Sequence, residues 1–142
     1  MKKQVLILAI GLLSLASFAQ KNELKAIEKA IKKGQLNEAK AAVASLEVSE
    51  ASIQPKYKAK YYYLKGSVYG TSNVKKAAAA YNSLFEYEKQ TRKFKYTKLA
   101  EPKLNELIQF VSKKAIDNYN GKDFKKATED FSCLPNIVWA AL

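Results

Sequence analysis

Residues 61–84 read YYYLKGSVYGTSNVKKAAAAYNSL, and the spacing of large and small side chains in this stretch decides the fold. Tyr62, Gly66 and Tyr69 recur at helical spacing and form one stripe. Thr71-Ser72-Asn73 is a short polar loop. Ala77, Tyr81 and Leu84 then make a second stripe at the same spacing. Two short amphipathic helices joined by a tight loop form a helical hairpin.

The same unit recurs on both sides. Upstream, Leu24, Ile27, Ala30 and Ile31 make one stripe and Leu36, Ala39, Val43 and Leu46 the next, with Gly34 between them as the helix stop. Downstream, Val111, Ala115 and Tyr119 precede a Gly-Lys-Asp turn, followed by Phe124, Ala127, Phe131 and Leu134. Each second helix carries a small Ala, then a larger residue, then Leu: Ala39/Val43/Leu46, Ala77/Tyr81/Leu84 and Ala127/Phe131/Leu134. The Ala lets a neighbouring helix approach and the other two fill the seam beside it. Composition agrees: helix-forming Ala, Lys, Leu and Glu dominate, and five Gly and three Pro leave little punctuation for a many-stranded sheet. The expected class is all-α, a short hairpin solenoid. A plain helical bundle with the same Ala spacing is the alternative. Pro55, Pro102 and Pro135 mark the expected breaks: helices follow Pro55 and Pro102, and Pro135 interrupts the last one.

These hairpins resemble the tetratricopeptide repeat over roughly residues 21 to 134. Tyr62, Gly66 and Tyr69 match its first-helix positions, and Ala115 and Phe124 match its small and turn positions. Lys65 and Lys114 stand where the family usually has Leu, Ile27 where it has a small residue, and Asn118 where it has an aromatic. The interval from Ala77 to Ala127 is longer than one repeat, so the helices between about Glu86 and Leu107 should be extended. The resemblance implies a concave groove lined by first helices that holds a partner protein or peptide. Its groove positions fall on Lys60, Tyr63 and Ser67 in one hairpin and on Gln109, Ser112 and Tyr119 in the next.

Residues 1–19 read as a signal peptide. Lys2 and Lys3 give a positive start, Val5 to Ala16 is almost wholly apolar, and Ser17-Phe18-Ala19 places small residues before a cut. Val5 to Ala19 is shorter than the roughly 20 residues that span a bilayer. The expected product is exported, periplasmic or secreted, with no transmembrane segment after cleavage. The helical domain then covers residues 20–134.

Residues 135–142 form an apolar tail without a charged side chain. Pro135 comes one residue after the seam Leu134, and a solenoid end needs a polar outer face. A truncation or frame change is therefore expected near this point, with the native solenoid continuing.

The chain has no His and one Cys, Cys133, so the commonest general base, an internal disulfide and a thiolate metal cage are missing. Cys133 reads as a small buried residue. No phosphate loop or nucleophile motif occurs. The expectation is no enzyme, no metal and no cofactor.

Charge points instead to partners. Residues 51–100 hold eleven Lys or Arg against Glu86 and Glu88, whereas residues 101–142 hold six Lys against six acids. The basic patch comprises Lys56, Lys58 and Lys60, then Lys89, Arg92, Lys93, Lys95 and Lys98, interleaved with Tyr57, Tyr61, Tyr63, Phe94 and Tyr96. Cations among aromatics suit nucleic acid, but export argues against it and no nucleic acid is expected. The remaining readings are a solvated face whose Lys stems lie over Tyr rings, and an electropositive surface for an acidic protein or peptide, an anionic glycan or a membrane surface. The leading expectation is a scaffold that binds a partner, favouring acidic segments. The alternative is a cell-envelope protein adhering to anionic polymers through its basic region. N-terminal sequencing of the exported chain should begin at Gln20; an intact Met1 on a membrane-bound form would overturn the address.

Overall fold

The computed structural model describes the backbone of residues 19–138 and the side chains of residues 19–134. The signal segment up to Phe18 and the tail residues Trp139 to Leu142 lie outside the described residues. All regular structure among the described residues is helical. None of these helices is long and apolar enough to cross a membrane. The chain divides into two compact units, Met1–Lys58 and Ala59–Leu142.

The first unit is one hairpin. Residues 19–32 form helix α1 and Leu36–Val48 form α2. Gly34 ends α1 in the left-handed region at φ 72°, which glycine enters without a Cβ penalty. That bend lets the Gln35 N–H donate to the Ala30 carbonyl at 2.9 Å and satisfies the fraying end of the helix. Leu24, Ile27 and Ala30 of α1 are buried, as are Ala39, Val43 and Leu46 of α2. The Gln20 side chain fastens the unit's far edge: its amide donates to the Ser52 carbonyl at 3.0 Å and accepts from the Gln54 N–H at 3.1 Å.

Helix α3 (Pro55–Tyr69) starts with proline, whose missing N–H is no loss in a first turn. The unit boundary falls inside this helix. In the second unit, a short turn at Gly70–Ser72 leads to α4 (Val74–Thr91), whose first turn is capped by Asn73 accepting from the Lys76 N–H at 3.1 Å. Helices α5 (Lys95–Asn120) and α6 (Phe124–Val138) make the last hairpin. The extension expected between about Glu86 and Leu107 falls in α4 and α5, which are 18 and 26 residues long.

Two turns here reuse the geometry at Gly34 with non-glycine residues. Arg92 (φ 55°) and Lys122 (φ 62°) take the left-handed position, and the next N–H reaches back to Glu88 and Asn118 respectively. In the Gly-Lys-Asp turn it is Lys122, not Gly121, that makes the bend.

Two proline readings are corrected. Pro102 lies inside α5, which begins seven residues earlier at Lys95. Pro135 lies inside α6, which continues to Val138. An internal proline costs about 3 kcal/mol through one lost hydrogen bond and a steric clash. The carbonyls it leaves without that bond belong to Lys98 and Phe131, both exposed residues.

Gly66 sets the spacing of α3 against α4. A Cβ placed on it would lie 2.5 Å from Tyr81 Cε1 and 2.7 Å from Cδ1. The Tyr81 ring therefore packs flat against bare backbone, with Ala77, Ala78, Ala80 and Leu84 buried around it on α4. Burial pushes the Tyr81 phenol up to about 12, and a hydroxyl contact with Ser67 at 3.5 Å opposes the shift only in part. Gly66→Ala and Gly66→Leu should each lower the melting temperature, with Gly66→Leu costing about 1–3 kcal/mol by overpacking. Wild-type melting in both would contradict the close approach.

Candidate functional site

The junction between α4 and α5 positions the site. Glu88, in the last turns of α4, is 1% exposed. Its carboxyl oxygens accept from the Tyr96 N–H at 3.0 Å and the Thr97 N–H at 2.8 Å. Those are orphan donors of the first turn of α5, and an acidic group beside them also faces the positive end of the helix dipole. Phe94, at the capping position, offers no side-chain acceptor. Glu88 thus starts α5 at Lys95 and holds the turn Arg92-Lys93-Phe94 between the two helices.

Starting α5 there brings Tyr96 to α3. The rings of Tyr63 and Tyr96 lie 5.7 Å apart at 34°, a tilted stack. On the same region of α3, Tyr62 meets Tyr87 of α4 edge-on at 6.4 Å. Tyrosines 62, 63, 87 and 96 are all half-buried, so each ring keeps part of its surface in water. The Tyr63–Tyr96 stack is an aromatic wall shared by α3 and α5, and the Tyr62–Tyr87 pair is a separate contact between α3 and α4.

The expected groove residues are placed unequally. Lys60, Tyr63 and Ser67 share one stripe of α3. Tyr63 is in the wall and Lys60 lies one turn before it, half-buried. Ser67 turns inward, donating to the Tyr63 carbonyl at 2.9 Å and touching the Tyr81 hydroxyl. Gln109, Ser112 and Tyr119 do not join them. Tyr96 is the α5 residue level with Tyr63, and Gln109 lies about 20 Å further along the helix. Gln109 is exposed and Ser112 half-buried, and Tyr119 packs edge-on against Phe124 at 5.5 Å near the chain's last turn.

The basic patch divides as well. Lys89, Arg92, Lys93, Lys95 and Lys98 are all exposed around the α4–α5 turn. The Lys95 ammonium sits 5.3 Å from the Tyr96 ring centre, within range of a cation–π attraction. Lys56 and Lys58 belong to the first unit, where Lys56 lies 5.0 Å from the Tyr57 ring. Lysines over tyrosines recur at Lys65–Tyr61 (5.5 Å) and Lys76–Tyr69 (4.7 Å).

Apart from this region, a concavity of about 230 Å³ opens between the Gly70–Ser72 turn, α5 and α6, lined by Thr71, Ser72, Phe110, Lys114, Asp130 and Cys133. In its lining Asp130 accepts from Lys114 at 2.8 Å and from the nearby Asn118 at 2.7 Å. Cys133 is half-buried at the rim rather than fully buried.

No protein-family model, curated protein or solved structure matches this chain. The functional reading stands on the residues themselves. Sequence reasoning passed over Glu88 and paired Tyr63 with no partner. Glu88→Ala should leave the Tyr96 and Thr97 N–H groups without acceptors and cost about 2 kcal/mol. Thermal unfolding measures it, and hydrogen exchange should quicken first at residues 95–98; unchanged exchange there would refute the capping role.

Proposed function

We propose that this chain is an exported binding module that holds an acidic segment of a partner protein against the Tyr63–Tyr96 wall. The observation that supports it is the stack itself: two partly exposed rings from separate helices, flanked by Lys60 and by the cations of the α4–α5 turn. The rings offer apolar contact and low-entropy anchors, while the lysines and Arg92 attract carboxylates and steer their approach. In a tetratricopeptide-like hairpin array such a wall lines the inner face on which an extended peptide lies. The cell-envelope alternative needs the charges but not the stacked rings.

That difference gives the test. A fluorescent Glu-rich peptide bearing tyrosine should bind the wild type more tightly than its Gln-substituted counterpart. Tyr96→Ala should weaken binding about tenfold, about 1.4 kcal/mol, and charge reversal at Lys93 and Lys95 should weaken it further, both with helicity retained. Equal binding by wild type and both variants would overturn the proposal. Loss on charge reversal alone, with equally strong capture of an anionic polysaccharide by Tyr96→Ala and steep salt sensitivity, would favour envelope adhesion.

A further inference from the structure

The turn between α4 and α5 stands in solvent. Residues 89–95 are exposed without a break, and Lys98 and Leu99 continue the exposure on the side of α5 turned away from buried Ala100 and Leu104. This segment carries Lys89, Arg92, Lys93, Lys95 and Lys98, and residues 89–100 contain no acid. Glu88, just before them, is buried and commits both carboxyl oxygens to the Tyr96 and Thr97 N–H groups, so it puts no carboxylate on the surface of the turn. Glu86 and Glu101, the next acids along the chain, lie outside the segment on α4 and α5.

Phe94 (48% exposed) and Leu99 (47%) stand among these cations. Neither serves the cap or the core. Phe94 occupies the N-cap position of α5, where Ser, Thr, Asp or Asn would accept a backbone N–H and Phe accepts none. Glu88 accepts those N–H groups instead. Leu99 lies outside the buried stripe of Ala100, Leu104, Leu107 and Val111 that packs α5.

Charge complementarity selects an anionic occupant, and the two apolar side chains select one with an apolar interior. A bilayer with anionic headgroups offers both, phosphates at its surface and hydrocarbon beneath. A Glu-rich peptide or a soluble anionic polymer satisfies the cations and leaves Phe94 and Leu99 in water. We infer that the α4–α5 turn docks on an anionic phospholipid bilayer, with Phe94 and Leu99 entering the headgroup region and the five cations among the phosphates. Two side chains make a short apolar anchor, so docking is reversible and depends on the charges. The inference does not rest on the Tyr63–Tyr96 wall, whose Tyr96 ring packs towards α3.

The probes are vesicles of phosphatidylcholine alone and of phosphatidylcholine with an equal part of phosphatidylglycerol. The purified chain should float with the mixed vesicles and stay behind with the neutral ones, and added salt should release it by screening the charges. Phe94→Ser with Leu99→Ser should weaken capture about tenfold through the lost apolar burial. Helicity should be unchanged, because both positions are half exposed and serine is favoured at an N-cap. The same double variant should bind the Glu-rich peptide as the wild type does, while Tyr96→Ala should lose the peptide and keep the vesicles, so the two proposals fail separately. No flotation with the mixed vesicles overturns the inference, and so does equal flotation with the neutral ones. A double variant captured as well as the wild type overturns it too, and would assign the turn to acidic peptides or soluble anionic polymers through charge alone.

Discussion

Glu88 is an acidic side chain taken almost wholly out of water, and the second unit is arranged around the need to satisfy it. Desolvating a carboxyl group is costly unless its oxygens are bonded. Here both oxygens are used, on two adjacent N–H groups that would otherwise be orphans at the start of α5. The two deficits cancel, and the cancellation fixes geometry as well as energy. It sets where α5 begins, hence that Tyr96 comes level with Tyr63. It also holds the tight turn in which Arg92 takes a left-handed conformation costing roughly 1 kcal/mol. The Lys93 N–H returns to the Glu88 carbonyl at 3.1 Å, so side chain and backbone of one residue close both sides of the same turn.

What could be read in advance follows from the range of each interaction. Gly34 was legible because a helix stop depends on one residue's own backbone freedom. Gly66 and Ala77 were legible because small residues recurring against large ones imply a close approach, and the Tyr81 ring on Gly66 is that approach. Lys60, Tyr63 and Ser67 fall on one stripe of α3 because their spacing is set within a single helix, and Ser67 bonds internally. The register of α5 was not legible. Pro102 looked like a boundary because its penalty is local and visible, while the Glu88 cap that starts the helix earlier joins positions eight and nine residues apart across a turn. Gln109, Ser112 and Tyr119 lie further along α5 than Tyr96, the residue level with Tyr63. Glu88 itself carries no sequence mark of burial.

The basic character of the middle of the chain is more structured than a count of charges suggests. Among the described residues, a lysine ammonium lies within 5.5 Å of a tyrosine ring centre at Lys56–Tyr57, Lys65–Tyr61, Lys76–Tyr69 and Lys95–Tyr96. Each such pair lets the aliphatic stem cover ring surface while the charge stays hydrated. The like charges are thereby spread along tyrosine-bearing faces rather than crowded at one point. The cations left around the α4–α5 turn have less ring surface to lie on, Lys95 on Tyr96 being the exception. Glu88, the buried acid among the described residues, lies in the same turn region.

The two ends of the second unit are held by different forces. Near α3 and α4 the contacts are apolar and close: Tyr61, Leu64, Val68, Tyr81 and Leu84 are all buried. In the α5–α6 hairpin, Val111, Ala115 and Ala127 supply a thinner apolar seam, and polar contacts carry more of the pairing. Asp130 reaches across to Lys114 and Asn118, and Asp123 caps α6 through the Lys126 N–H at 3.1 Å. Hydrogen bonds of this kind add about 1 kcal/mol each when partly hydrated, whereas burying a large apolar side chain contributes about 1.5–3 kcal/mol. They fix the register of α6 on α5 without consuming Phe124 and Phe131. A hairpin paired by polar contacts leaves its large apolar side chains, Phe124 and Phe131, partly on the outside.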